Sequence, residues 1–93
     1  MASFQVAHIH EQGNDVIILP LGESFPMQSA EKRKEMLAGF AECVKRAGLR
    51  GTLVPVWPEG ENLRFIAPKE WHPFCASMTW EWIRYNINRE VSL

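Results

Sequence analysis

The sequence predicts an α+β fold in which two strands and one helix form the centre of a small mixed sheet. Two apolar runs, at 15–21 and 51–57, are separated by one long amphipathic stretch. Neither run alternates between apolar and polar residues, which is typical of strands covered on both faces. A strand, a helix and a second strand of this kind predict a parallel pair at the centre of the sheet.

Length and composition predict a single domain over residues 1–93. Hydrophobic residues make up 46% of the chain, which argues against disorder. A net charge of −1 gives no electrostatic attraction to nucleic acid or to an acidic membrane, and no apolar run approaches the roughly 20 residues of a membrane span. Cys43 and Cys75 are far apart in sequence and no secretion signal is visible, so we expect free thiols in a cytoplasmic protein.

The first two strands are expected to form a hairpin. Strand one covers residues 4–11 and strand two covers 15–21, with a turn at Gln12, Gly13 and Asn14. Gly13 and Asn14 can adopt the positive φ that such a turn requires.

The first helix is predicted over residues 29–47. Ser29 is a suitable N-cap, and Gly48 follows the last helical turn, where a left-handed residue commonly ends a helix. Gly39, in mid-helix, predicts a close approach of the helix to the sheet, since glycine there otherwise costs about 1 kcal/mol. The apolar stripe of this helix contains Leu37, Phe40 and Val44.

The second half of the chain predicts another hairpin and a second helix. Strand three covers 51–57 and strand four covers 63–67, joined by a polar turn. The second helix is predicted from 73 to 88, because proline suits the first helical position. A later start, at Ser77 or Thr79, is the alternative.

The predicted order is therefore ββαββα, a four-stranded mixed sheet with strands two and three central and parallel and two helices packed on it. The crossover between these strands is expected to be right-handed, which places helix one on one face of the sheet. A ubiquitin-like β-grasp shares the first ββαβ order and is the alternative topology. The aromatic terminal helix argues against it.

His8 and His10 are two residues apart on strand one, so both imidazoles point to the same face. Zinc requires three or four ligands, and His72, Cys75 or Glu11 would have to complete such a site. Local spacing supplies only two ligands, so a strand with a half-polar face is the better interpretation. We predict no metal site and no cofactor.

Cys75 with His72 is a candidate nucleophile and base, because His72 lies three residues earlier and a thiol near a helix N-terminus tends to have a lowered pKa. No local signature of a cysteine hydrolase accompanies the pair. A small buried thiol next to a loop histidine is the simpler interpretation, and we assign no catalytic residue.

The start of helix one is a candidate anion site. Lys32 and Arg33 occupy the first turn, where the helix dipole disfavours cations, and Ser24 and Ser29 precede them. In open sheets of this kind, ligands bind outside the carboxyl ends of the strands, beside helix N-termini. No phosphate-binding glycine motif is present, so an ordinary solvated surface is the competing interpretation.

The aromatic terminal helix is a candidate interface. One side of the helix can serve the core, but the chain is too short to bury both apolar sides. Tryptophan, tyrosine and arginine are enriched at interface hot spots. The candidate interface residues are Trp80, Trp82, Arg84 and Tyr85.

The sequence as a whole favours a small cytoplasmic protein-interaction or binding module that self-associates as a homodimer, because a symmetric dimer buries such a surplus apolar surface. Another protein is a possible partner. Nucleic acid and membrane are not expected partners. The alternative is a small enzyme or anionic-ligand-binding domain that uses the loop before helix one or the His72/Cys75 region.

Overall fold

A computed structural model of the chain describes residues 3–11 and 13–93. Among these residues it has a five-stranded mixed sheet and three α-helices, which confirms the α+β class and the mixed sheet. The elements in chain order are β1 (Ser3–Glu11), β2 (Asn14–Pro20), α1 (Ala30–Arg46), β3 (Thr52–Glu59), β4 (Asn62–Phe65), α2 (His72–Ala76), α3 (Trp80–Asn86) and β5 (Arg89–Ser92). Short 3-10 turns, Phe25–Met27 and Lys69–Trp71, precede α1 and α2.

The central parallel pair is present as predicted. The strand order is β4-β3-β2-β1-β5, and β2 and β3 are parallel neighbours with Ile18 opposite Val54. The three other pairings, including the two hairpins, are antiparallel. The long α1 connection between β2 and β3 supplies the crossover that a parallel pair requires.

Each face of the sheet carries its own apolar cluster, so β2 is buried on both sides. Ile17 and Leu19 point to the α1 side, and Val16 and Ile18 point to the side of α2 and α3. On the α1 side these residues pack with Val6, Cys43, Val44 and Val91. On the other side they pack with Ala7, Val54, Val56, Trp71, Cys75, Met78 and Ile83.

The helix α1 begins and packs largely as its sequence predicts. The Ser29 hydroxyl accepts a hydrogen bond from the backbone N–H of Lys32 at 3.1 Å. Val44 is buried, and the Phe40 ring meets Phe4 edge-on at 4.9 Å between centroids. The expectation for Gly39 is wrong, because a Cβ at this exposed residue would have no neighbour within 4 Å.

The predicted number of strands, four, is wrong, because the last residues form β5 on the free edge of β1. Val91 lies opposite Phe4 and is 2% exposed. The Asn88 side chain fixes the approach to this strand: its amide nitrogen donates to the His8 carbonyl at 2.9 Å, and its oxygen accepts from the His8 N–H at 2.8 Å. One asparagine thus satisfies both backbone groups of a residue just beyond the β5 pairing.

The predicted second helix, 73–88, is two short helices. Ser77 ends α2, and its hydroxyl donates to the Phe74 carbonyl at 2.7 Å. Thr79 is extended, with φ −123° and ψ 160°, and its hydroxyl accepts from the Trp82 N–H at 3.1 Å as the N-cap of α3. Serine and threonine compete with the helical backbone in this way, so the alternative start at Thr79 is the better one.

Two glycine substitutions should change stability in opposite directions. A Cβ at Gly51, whose φ is +135°, would lie 2.6 Å from the Asp15 carbonyl oxygen, so Gly51→Ala should lower the free energy of unfolding by about 2 kcal/mol or more. Gly39→Ala, in open space on α1, should raise it by about 0.5–1 kcal/mol. Urea denaturation followed by tryptophan fluorescence measures both. Equal effects of the two substitutions would contradict the close packing of β3 on Asp15.

Candidate functional site

A cleft of about 590 Å³ lies at one end of the sheet. Its lining residues come from β1 and β2 around their connection, from the start of β3, from the 3-10 turn before α2 and from α2 itself. We call it the acidic cleft. Its lining residues are Glu11, Gly13, Asn14, Asp15, Gly51, Thr52, Glu70, Trp71, Pro73 and Phe74.

The position of the cleft follows from a close backbone approach at Gly51. Gly51 precedes β3 and has a φ of +135°, which residues with a Cβ rarely adopt. A Cβ on this residue would collide with the Asp15 carbonyl group. The start of β3 therefore lies directly against the start of β2. Any larger residue at 51 would push these two segments apart.

The charges around the cleft are of one sign. Glu11, Asp15 and Glu70 line it, and none of the described lining residues is a lysine or arginine. Asp15 receives a hydrogen bond from His10 Nδ1 at 2.7 Å across the β1–β2 hairpin. Among the described residues, neither Glu11 nor Glu70 forms an ion pair. The cleft is therefore more negative than the chain as a whole, whose net charge is −1.

Two aromatic residues, Trp71 and Phe74, are among those that line the cleft. Trp71 is buried in the core cluster, and its ring meets Phe74 at 5.6 Å with the ring planes at 71°. Phe74 in turn meets Trp82 at 5.7 Å with the planes at 81°. Edge-to-face pairs of this kind stabilise one another by about 0.5–1.5 kcal/mol. This aromatic row runs from the core, past the cleft, to α3.

The candidate interface residues divide into two pairs on α3. Trp80 and Trp82 are partly buried and pack against the core cluster beneath the helix. Arg84 and Tyr85 are exposed, and Tyr85 is 88% exposed, the largest exposed fraction among the large hydrophobic residues of the described chain. Ile83, fully buried, marks the inner side of the helix. The outer face of α3 therefore carries one tyrosine and charged residues rather than a tryptophan stripe.

The structure brings the candidate anion-binding residues to one loop and helix start, but it also uses some of their hydrogen-bonding groups. Ser29 is the N-cap of α1, and its carbonyl accepts from the Arg33 N–H at 2.9 Å. The Ser24 carbonyl accepts from the Gln28 side chain at 3.3 Å. Lys32 is exposed and Arg33 is partly buried. The anion site stays a prediction.

The two histidines of β1 are engaged separately. His8 Nε2 lies 2.8 Å from the Arg50 carbonyl, to which it donates, while His10 contacts Asp15. Among the described residues there is no group of three or more His, Cys, Asp or Glu side chains that could hold a metal ion.

His72 and Cys75 do not form a nucleophile and base. His72 Nε2 donates to the Ala67 carbonyl at 2.9 Å, and its ring meets Phe65 edge-on. Cys75 is 1% exposed within the core cluster, and burial raises the pKa of its thiol above the ordinary value. A reactive cysteine needs the opposite shift. This geometry favours a core role for Cys75 and gives no support to the small-enzyme alternative.

Comparisons with protein-family models, curated proteins and solved structures find no match to the chain. No helix of the described residues is long and apolar enough to cross a membrane.

Sequence reasoning did not find the acidic cleft, because its carboxylates come from three separate segments. Glu11 ends β1, Asp15 lies at the start of β2, and Glu70 belongs to a 3-10 turn in a segment for which no element was predicted. One local signal was available. Gly51 stands immediately before an apolar strand, and a glycine at that point often marks the close approach of another backbone segment.

Cys75 should resist alkylation in the folded protein. Its thiol is buried and protonated at neutral pH, whereas iodoacetamide reacts with an accessible thiolate. At pH 7 we expect the reaction at Cys75 to be roughly 100-fold slower than in urea-unfolded chain. In the Cys43→Ala variant Cys75 is the one remaining thiol, so mass spectrometry of this variant measures the alkylation rate of Cys75 alone.

The raised pKa of Cys75 also predicts how the stability of the fold changes with pH. The unfolded thiol loses its proton at lower pH than the folded one, so this group should lower stability as the pH rises above the ordinary thiol pKa. Cys75→Ala should lack that part of the alkaline loss. Equal alkylation rates for folded and unfolded chain would contradict the buried placement.

Proposed function

We propose that this chain is a small cytoplasmic protein-interaction module that self-associates as a homodimer through the outer face of α3. The observation that carries the proposal is Tyr85, an aromatic residue 88% exposed on a helix whose inner side is fully packed. Tyrosine and arginine are enriched at interface hot spots, and Arg84 is adjacent to Tyr85. We call Glu81, Arg84 and Tyr85, together with the partly exposed Trp82, the α3 surface.

Charge complementarity favours a second copy of the chain as the occupant of this surface. Glu81 is three residues before Arg84 and four before Tyr85, so the three side chains share one exposed helical face. A two-fold axis over this face would place Glu81 of one chain against Arg84 of the other, and the reverse. The tyrosines would then pack near the axis. The surface is therefore self-complementary in charge.

Two further observations agree with this role. Both cysteines are free and buried, as expected in a reducing compartment such as the cytoplasm. The helices that cover the two faces of the sheet leave Tyr85 without a place in either core cluster. An interface gives this exposed aromatic side chain a function that the fold of one chain does not.

Charge reversal tests the proposed dimer. Arg84→Glu and Glu81→Arg each place like charges across the two-fold axis, and each contact occurs twice, so each variant should weaken dimerisation by about tenfold or more. The double reversal should restore it. Analytical ultracentrifugation over micromolar to millimolar concentrations measures the dissociation constants, and circular dichroism verifies that each variant is folded.

An equimolar mixture of the two charge-reversal variants is the matched control. The Arg84→Glu variant and the Glu81→Arg variant carry opposite charges on this face, so an equimolar mixture should form a heterodimer although each variant alone is largely monomeric. A wild-type chain that stays monomeric at millimolar concentration would contradict the proposal. Dimerisation unchanged by every reversal would place the interface elsewhere and equally reject this surface.

A further inference from the structure

We propose that the free edge of β4 binds an extended segment of a partner protein as an additional strand of the sheet. Every second side chain of that segment enters a groove of about 340 Å³, which lies between β4 and the chain from the end of α2 to the start of α3. We call it the β4 groove. The inference goes beyond the proposed dimer, because the β4 groove and the α3 surface share no residue.

The first argument is the direction of the backbone hydrogen-bonding groups of β4. The Ile66 N–H donates to the Pro55 carbonyl at 3.1 Å, and residues of an antiparallel pair alternate between facing the partner strand and facing away from it. In this register Arg64 faces β3, whereas Leu63 and Phe65 direct their N–H and C=O groups outward. β4 is the last strand on its side of the described sheet, so no strand among the described residues pairs with these four groups.

This arrangement of donors and acceptors selects an extended chain as the ligand. The outward groups of Leu63 and Phe65 are two residues apart on one line, which is the spacing at which a neighbouring strand offers its own N–H and C=O groups. Proteins that add a peptide to a sheet edge obtain affinity from such main-chain bonds and specificity from pockets for alternate side chains. A helical segment has no free backbone groups to offer along this line.

The second argument is the apolar lining of the β4 groove. Leu63 and Phe65 line it from the strand, and Ala76 and Trp80 line it from the helices. Met78, which is 8% exposed, also lines the groove and belongs to the core cluster on this side of the sheet. Side chains alternate across a sheet, so every second side chain of an added strand would point to this side. Apolar side chains at those positions would extend the core cluster.

The cavity beside β5, the other terminal strand, is less suited to such a ligand. Its volume is about 300 Å³, and its lining includes the charged residues Arg46 and Glu90 and the hydroxyl of Ser92. An apolar side chain placed there would remove these groups from water without offering them a partner. The edge of β4 is therefore the better acceptor, and the edge of β5 serves as a control.

The charge of the β4 groove restricts the partner further. Glu61 is the one charged residue among the described residues that line the groove, and no ion pair of the described residues includes it. An acidic segment would place like charges together, whereas a lysine or arginine beside the apolar residues complements Glu61. The partner segment is therefore extended, apolar at alternate positions and basic at its ends.

A synthetic peptide of this kind tests the inference. It has lysine at both ends and alternating threonine and valine between them, with acetyl and amide termini. In NMR hydrogen exchange of the full chain, the peptide at up to millimolar concentration should slow exchange of the Leu63 and Phe65 amides at least about tenfold. Unchanged exchange of both amides, or protection of the β5 amides instead, would overturn the proposal.

Methylation of the peptide backbone shows whether main-chain hydrogen bonds hold it. All valines of a strand direct their N–H groups to one edge and all threonines direct theirs to the other. N-methylation of every valine should abolish the binding of an antiparallel strand, and N-methylation of every threonine that of a parallel strand. Binding should therefore be lost with one methylated peptide and kept with the other. Binding by both would contradict the added strand.

Proline substitutions at the two sheet edges are the matched variants. Leu63→Pro removes an outward N–H that β3 does not use, so the chain should fold and bind the peptide at least about tenfold more weakly. Ser92→Pro does the same on β5 and should leave binding unchanged. Equal weakening by both variants would reject the β4 edge. The methylated peptides test the same hydrogen bonds in the wild-type chain, so the result does not depend on the stability of a variant.

The outcomes for this inference and for the proposed dimer are distinguishable. A chain that stays monomeric at millimolar concentration but shows peptide-dependent protection of Leu63 and Phe65 would reject the dimer and support the added strand. A dimer without that protection would reject the added strand alone.

Discussion

The parallel pairing of β2 with β3 is the constraint on which the rest of the structure depends. Both strands are buried on both faces, so each needs a layer of helices above and below the sheet. The pairing also requires a long crossover, which α1 provides, and this places α1 on one face. The second face is then left for α2 and α3. The two hairpins add β1 and β4 on either side of this pair, and β5 then pairs with the free edge of β1.

The same pairing positions the acidic cleft. The start of β3 can lie against the start of β2 because residue 51 has no side chain, and the cleft opens above that contact. The aromatic row then connects the cleft to the far helix through Trp71, Phe74 and Trp82. The core thus orients both the acidic cleft and the α3 surface. A change in the register of β2 and β3 would alter the cleft first, because Asp15 and Gly51 would no longer meet.

Strong local patterns made the centre of the fold predictable, and tertiary context decided the rest. The unbroken apolar runs and the Ser29 cap predicted β2, β3 and α1 closely. β5 is four residues long, with one apolar residue, Val91, and it becomes a strand because β1 offers a free edge and Asn88 holds the chain there. The break at Thr79 was an open alternative, since a capping threonine inside an aromatic run permits either a continuous or a divided helix. The cleft could not be predicted, because the residues that line it come from segments far apart in sequence.

Native-state hydrogen exchange tests the central role of the β2–β3 pair most directly. We expect the amides of Ile17, Ile18 and Val54 to exchange slowest in the chain, with an opening free energy equal to that of global unfolding measured by urea. The amides of β5 and β4, at the two edges, should exchange through smaller local openings. Exchange of the β2–β3 amides at an opening free energy well below the global value, with slower exchange elsewhere, would contradict the account.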